Sequence, residues 1–350
     1  MTIYFYNQQD TQFMWREWEK GLFPGHLLYG GTHFERHGIR MVKHRYYDTC
    51  KRWKLSLNTL WQVLTCREHY DVLYGNAFRG LELIIFLRAI GLYRKPVVVW
   101  HHQPVKKSDS RLREVMARLF YRGIDQMFLF SEKLINDSLT AKKARPERLH
   151  IAHWGADLDY YDRLMAEEGT LRAPGTFIST GKELRDMPTL VNAFNRTTAQ
   201  LDIYVSRAYL GNDYDDIFSH LQLNANIRLN YIHGMAFRDM SRKVNRSSCV
   251  VICCQRSNYT VGLTTVVEAL ALGIPIICTR NEQMPMDIER EGCGIWVDHE
   301  DTEGWQKAVE YIANNPEKAQ EMGRKGRRLA ERLYNIERCT ADMAAVIKAL

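Results

Sequence analysis

Gly262-Leu263-Thr264-Thr265-Val266-Val267-Glu268-Ala269-Leu270-Ala271-Leu272-Gly273-Ile274-Pro275-Ile276-Ile277 is the stretch on which the reading of this chain turns. An apolar run, Cys249 to Cys254, precedes it and reads as a buried strand; a polar loop, Gln255 to Val261, joins the two. Apolar residues then recur at helical spacing up to Gly273, which ends the helix, and Pro275 to Cys278 opens a second buried strand. Strand, loop, helix and strand make a parallel crossover. Its loop presents the backbone N–H groups of Gly262, Leu263 and Thr264 at a helix N-terminus, where an anion such as a diphosphate binds. Glu268 lies about one turn beyond them in an otherwise apolar helix. A carboxylate there is costly unless something satisfies it, and a ribose diol would do so. A solvent-facing glutamate would produce the same pattern, so this stretch by itself leaves both readings open.

At 350 residues the chain is too long for one small core and suits two domains. A composition 45% hydrophobic and 25% charged is that of a globular protein. Its start has no charged segment followed by an apolar core, so a secretory leader is not expected. The most apolar helix, Leu81 to Leu92, carries Glu82 and Arg88 and is too short to span a bilayer. Cys249, Cys253, Cys254 and Cys278 fall in buried strands as small hydrophobes, and Cys253-Cys254 lacks zinc-ligand spacing. A reduced cytosolic compartment fits this usage.

The charge is uneven. Met1 to Arg163 holds 26 Lys/Arg against 17 Asp/Glu, an excess of nine, so with the whole chain at +7 the remainder carries minus two. The densest part, Arg36 to Lys54, interleaves Arg40, Lys43, Arg45, Lys51, Arg52 and Lys54 with Tyr46, Tyr47 and Trp53. That mixture suits an anionic membrane surface, the inner face for a cytosolic protein, and equally suits a solvated face. It contains no nucleic-acid recognition module, and none is expected as a partner.

Taken in order, strands are expected at Thr2–Tyr6, Ile39–Lys43, Asp71–Tyr74, Pro96–Trp100, Gln126–Phe130 and Leu149–His153. A long loop bearing Trp15 and Trp18 leads to Phe23-Pro24-Gly25-His26 and a helix to about His37. Further helices are expected at Gly80–Gly91 and Ser110–Arg122, and Ser131 reads as an N-cap. The pattern turns polar between Tyr160 and Pro174, which reads as a linker. A second alternation follows, with strands at Thr176–Ser179, Leu201–Val205, Ile227–Leu229, Cys249–Cys254, Ile274–Cys278 and Gly294–Val297. Helices are expected at Pro188–Phe194, Asp301–Asn314, Pro316–Leu333 and Ile336–Leu350. The organisation is two α/β domains, residues 1–165 and 175–335, with the helix at about 336–350 able to pack back on the first. A cleft between them is the default site, and ligands bind beyond the carboxyl ends of the strands, where His101, His102 and Gly155 fall.

These residues resemble the retaining GT-B glycosyltransferases of the family-4 type, which use nucleotide-sugar donors. The likeness rests on Phe130-Ser131-Glu132 through His153-Trp154-Gly155-Ala156-Asp157, on Ile178-Ser179-Thr180-Gly181-Lys182-Glu183-Leu184-Arg185-Asp186, on Gly262 to Pro275 with its Glu268, and on Gly292 to Val297. It covers about two thirds of the chain well and residues 1–125 loosely. It implies two Rossmann-like doubly wound domains facing each other across a cleft, a first domain for the acceptor and a second for an NDP-sugar, UDP- or GDP-linked, with no other cofactor. In that pattern Lys182 and Arg185, flanking a turn at Gly181, clamp the diphosphate. The N–H groups at Gly262, Leu263 and Thr264 add donors, Glu268 holds the ribose, and His233 and Thr260 are further donor-side positions. A His past the fourth strand sits near the reacting centre; the usual spacing points to His102, though the register leaves His101 open. Gly25 resembles the glycine that lets donor phosphate and acceptor approach the backbone.

There are three departures. The first glutamate of the family signature would fall at Thr260, which cannot act as a carboxylate nucleophile and puts the donor sugar in doubt. Gly181-Lys182 replaces Gly-Arg, keeping charge and losing the fork. Trp154 stands where Asn is usual. No Asp-x-Asp stands in a plausible loop, so the transfer is expected to need no metal. The implied activity moves a sugar, with retention, to an acceptor hydroxyl on a glycan or a lipid-linked carrier. The alternatives are a degenerate scaffold that binds a nucleotide-sugar, and a sugar-nucleotide epimerase of the same fold.

Overall fold

The computed structural model describes residues 1–209, 211–234 and 236–350 and divides into two compact units, Met1–Gly155 with Asn335–Leu350, and Ala156–Tyr334. The first unit is built on six parallel strands: β1 (Thr2–Tyr6), β2 (Arg40–Lys43), β3 (Val72–Gly75), β4 (Val97–Trp100), β5 (Gln126–Leu129) and β6 (Leu149–Ile151). Their order is β2-β1-β3-β4-β5-β6. Strands β3 and β4 are buried along their whole length, as their continuous apolar runs require in a sheet covered on both faces. Helices α1 (Thr11–Glu19), α2 (Arg52–Leu64), α3 (Glu82–Ala89), α4 (Arg111–Arg122) and α5 (Glu132–Thr140) fill the connections. Ser131 caps α5 as expected, accepting from the Leu134 N–H at 3.3 Å. Phe5, Phe34, Tyr74, Trp100 and Phe128 form the buried aromatic centre. Within it the Tyr74 hydroxyl accepts from Trp100 Nε1 and donates to the Tyr29 carbonyl, both at 2.8 Å.

The second unit opens with α6 (Leu158–Glu168), followed by β7 (Thr176–Thr180), α7 (Met187–Phe194), β8 (Gln200–Val205), a two-residue hairpin of β9 (Ala208–Tyr209) and β10 (Asn212–Asp213), and α8 (Tyr214–Ser219). Next come β11 (Ile227–Tyr231), α9 (Phe237–Asn245), β12 (Cys249–Ile252), α10 (Leu263–Leu272), β13 (Ile276–Thr279), β14 (Gly294–Val297), α11 (Thr302–Asn314) and α12 (Pro316–Arg332). The parallel sheet runs β11-β8-β7-β12-β13-β14, the doubly wound order in which strand succession reverses between β7 and β12. Phe177, Phe194, Val251, Ile277, Trp305 and Val309 pack its core. The closing helix, α13 (Ile336–Lys348), groups with the first unit, where Asp342 accepts from His153 Nδ1 at 2.7 Å.

Several local expectations are corrected. The loop bearing Trp15 and Trp18 is α1, started by the Asp10 side chain accepting from the Phe13 N–H at 3.0 Å. The helix expected from Gly25 to His37 is two 3-10 turns, Gly25–Leu28 and Phe34–His37, because Tyr29 and Gly30 take positive φ and break the run. The polar stretch from Tyr160 is helical to Glu168, with Tyr160, Tyr161 and Leu164 buried, and belongs to the second unit rather than to a linker. Helices α2, α8 and α9 and the hairpin were not anticipated; α9 reads as polar because four of its nine residues are charged.

Candidate active site

Two loops meet at the reversal point of the second sheet. One follows β7 and contains Gly181, Lys182, Glu183 and Arg185; the other follows β12 and leads through Thr260 to α10. Backbone bonds join them: Gln255 N–H to the Leu184 carbonyl at 2.8 Å, and Asp186 N–H to the Cys253 carbonyl at 3.0 Å. The Tyr259 hydroxyl donates to the Glu183 carboxylate at 2.7 Å and completes the junction. Gly181, Lys182 and the Thr260–Thr264 segment are therefore neighbours at one end of one sheet.

Arg185 does not share that surface. It is 3% exposed, and its guanidinium donates to the Thr180 carbonyl at 3.0 and 3.1 Å, to the Glu183 carbonyl at 2.9 Å and to Cys254 Sγ at 3.2 Å. The expected diphosphate clamp is a buried brace that closes its own loop. Gly181 is required by it: φ is +100°, and a Cβ there would stand 2.2 Å from the guanidinium. Lys182 is exposed, with Nζ 4.4 Å from the centre of the Tyr209 ring, and remains a cation available to a ligand.

Gly262 adopts φ +88° at the start of α10, where a Cβ would press on Ile252 at 2.7 Å. The helix has no side-chain cap. Of the three N–H groups expected to face a ligand, that of Leu263 is spent on the Thr260 carbonyl at 3.2 Å, leaving Gly262 and Thr264 as the donors of the turn. His233 is exposed in the loop after β11, at the sheet's edge. Glu268 is half-buried, and protein hydroxyls meet its need: Ser241 on α9 donates to it at 2.7 Å, and Tyr161 on α6 also hydrogen-bonds it. Burial outweighs those bonds and pushes its pKa up to about 7.

In the first unit the strand order reverses between β1 and β3, and their carboxyl ends carry Asn7 and Asn76. Asn76 Nδ2 donates to Asn7 Oδ1 at 3.0 Å, yet Asn7 Nδ2 and Asn76 Oδ1 are buried with no partner among the described residues. One hydroxyl could accept from the first and donate to the second. Nothing in the sequence marks this pair, since the residues become neighbours only through strand pairing.

The adjacent histidines after β4 part company. His101 is buried; its Nδ1–H donates to the Gln103 carbonyl, its Nε2 meets the Tyr121 hydroxyl at 2.9 Å, and burial pushes its pKa down to about 4. His102 is partly exposed, stacks on Tyr29 at 5.6 Å and donates Nε2–H to the Asn76 carbonyl at 2.9 Å. Burial lowers its pKa, so the ring is neutral and Nδ1 is an acceptor. Both line a cavity of about 530 Å³ together with Phe78, Arg79, Lys106 and Lys107. Gly25 is buried in the turn leading to Tyr29, and the next carbonyl, that of His26, accepts from Trp154 Nε1 at 3.2 Å. Trp154, Tyr29 and His102 thus belong to one aromatic cluster.

Residues 190–329 match the family model for glycosyl transferases group 1. Two six-stranded parallel sheets in these orders make the GT-B fold, and the matching segment lies within the second unit. Among curated proteins the chain is similar to the MMP alpha-(1->4)-mannosyltransferase of Mycolicibacterium hassiacum, 21% identical over 303 residues, 80% of this chain and 71% of that one. Among solved structures it superposes on Anabaena Alr3699/HepE in complex with UDP and glucose, with a TM-score of 0.69 at 15% identity over 100% of both chains. Sucrose-phosphate synthase from Thermosynechococcus elongatus gives 0.74 at 12% identity over 99% of this chain and 98% of that one.

Proposed function

We propose that the protein is a retaining, metal-independent glycosyltransferase moving a hexose from a UDP- or GDP-sugar to a hydroxyl of a glycan or lipid-linked acceptor presented at the inner, anionic face of a membrane. The observation that carries the donor half is the junction of the loop bearing Gly181 and exposed Lys182 with the loop that leads to the uncapped start of α10, at a sheet's reversal point. Negative charge that builds on the departing diphosphate is met there by Lys182 and the N–H groups of Gly262 and Thr264. Glu268, held by Ser241 and Tyr161, accepts from the ribose. In the first unit His102, neutral and aimed by Asn76, holds a sugar hydroxyl through Nδ1, and the Asn7–Asn76 pair orders the acceptor. The acceptor hydroxyl attacks from the face the diphosphate leaves, and a diphosphate oxygen takes its proton. Thr260 offers no carboxylate, which favours this route over a covalent glycosyl-enzyme.

Thermal melting with UDP-, GDP- and ADP-glucose tests the assignment, because a ligand bound to the native state raises the midpoint. One of the first two should raise it, and Lys182→Ala should abolish the rise without lowering the unliganded midpoint. Thr260 also favours a second reading, a scaffold that binds donor without turnover. A donor-induced rise with no NDP released in any acceptor mixture would support the scaffold instead.

A further inference from the structure

Helix α2 buries Leu55, Ser56, Thr59 and Val63 and turns Trp53, Leu57, Trp61 and Leu64 outward, with Trp53 61% and Trp61 69% exposed. Spacings of four, four and three residues place the four on one stripe. Helix α4 repeats the arrangement without burying any residue. Its inward contacts come from Phe120, against Phe78 and Phe86, and from Tyr121, against His101. Leu112, Val115 and Met116, in its first two turns, stand exposed, Leu112 at 72%. The crossovers β2 to β3, β3 to β4 and β4 to β5 advance in one direction, so right-handed connections lay α2, α3 and α4 side by side on one face of the sheet. Helix α3 packs against both neighbours and ends in exposed Ile90 and Leu92. Scattered apolar residues on a surface need no explanation, but nine on three adjacent helices do.

The charges around them are mostly of one sign. Helices α2, α3 and α4 carry Arg52, Lys54, Arg88, Arg111, Arg113, Arg118 and Arg122 against two acids, Glu82, paired with Arg52 at 2.6 Å, and Glu114, paired with Lys143 at 2.8 Å and Arg118 at 3.2 Å. Exposed Arg45, Lys51, Lys106 and Lys107 extend the field. A second copy of this face would bring like charges together in a two-fold pair, which costs energy. Tryptophan and leucine beside lysine and arginine match an interface of acyl chains under anionic headgroups. Among the described residues no helix is long and apolar enough to cross a membrane.

We propose that the α2–α3–α4 face docks on the surface of an anionic lipid bilayer, with Trp53 and Trp61 seated at headgroup depth and the basic residues held against lipid phosphates. The membrane-facing surface is thus not the Arg36–Lys54 segment as a unit but a patch assembled from three helices. The proposal rests on the reading of a membrane-presented acceptor, yet its test reads lipid binding with no sugar transfer, so either can fail alone. The full chain is sedimented at low salt with vesicles of phosphatidylcholine and of an equimolar phosphatidylcholine–phosphatidylglycerol mixture, while tryptophan emission is followed. Binding to the mixed vesicles only, with a blue shift, is expected. Trp53→Ala/Trp61→Ala should melt as the wild type and bind roughly ten-fold or more weakly, since two interfacial anchors are lost. Arg111→Ser/Arg113→Ser should weaken binding at low salt while keeping the blue shift of the fraction bound. Wild-type protein that stays in the supernatant overturns the proposal. So does undiminished binding by the tryptophan variant, or a dimer in light scattering that this variant dissolves without any lipid binding.

Discussion

Replacing Glu268 with Gln tests the most unusual electrostatic feature of the second unit. The carboxyl stands between Ser241 and Tyr161, and burial raises its pKa from 4.5 to about 7. A carboxyl whose folded pKa lies above its unfolded value holds a proton that the unfolded chain releases. Its contribution is most favourable below the unfolded value, falls as pH rises towards the folded one, and is constant above. The interval between 4.5 and 7 corresponds to about 3 kcal/mol, an upper figure for a partly accessible group. Glutamine keeps the shape and the hydrogen-bonding oxygen but cannot ionise. Glu268→Gln should therefore match the wild type within about 1 kcal/mol near pH 4.5 and exceed it by about 2–3 kcal/mol at pH 8. Urea unfolding of both proteins across that range isolates the effect, because the other titrating groups cancel in the difference. A variant less stable than wild type at pH 8 would show that the carboxylate is ionised and well stabilised, and would refute the account of its surroundings. Nucleotide-induced melting shifts, read on the same samples, report separately on the ribose contact.

Arg185→Met should lower stability by about 2–4 kcal/mol, because it strands the buried carbonyls of Thr180 and Glu183; a loss below 0.5 kcal/mol with nucleotide binding abolished would restore Arg185 to the ligand surface. His26, His44 and His101, held neutral with pKa values of about 3, 4 and 4, should make the protein lose stability as pH falls below 6.5, where the unfolded chain takes up protons that the native state refuses. His101→Asn should flatten that dependence, and an unchanged slope in acid urea titrations would count against it.

The α10 segment shows how far residue order alone reaches. Gly262, Gly273 and the apolar spacing between them predict a helix that the structure places at Leu263–Leu272, with Cys249–Ile252 and Ile276–Thr279 as flanking strands. Such signals are local: glycine conformation, a 3.6-residue period and runs long enough for a covered strand all act within a few residues. The same holds for the alternation of strands and helices, which carried the two-unit α/β architecture.

Tertiary structure decided which side chain faces what. Arg185 and Lys182 are equivalent in sequence as loop cations, yet strand pairing closes one over carbonyls and leaves the other in solvent. His101 and His102 differ by one position, and only the packing of Tyr121 against one and Tyr29 against the other separates them. Glu268 owes its partners to α6 and α9, which are distant in the chain, and the apolar stripe of α2 is joined by those of the two crossovers that follow it. The physical reason is range: dihedral preference and periodicity are written over a few residues, whereas desolvation and hydrogen-bond partnership depend on what long-range pairing brings within a few ångströms.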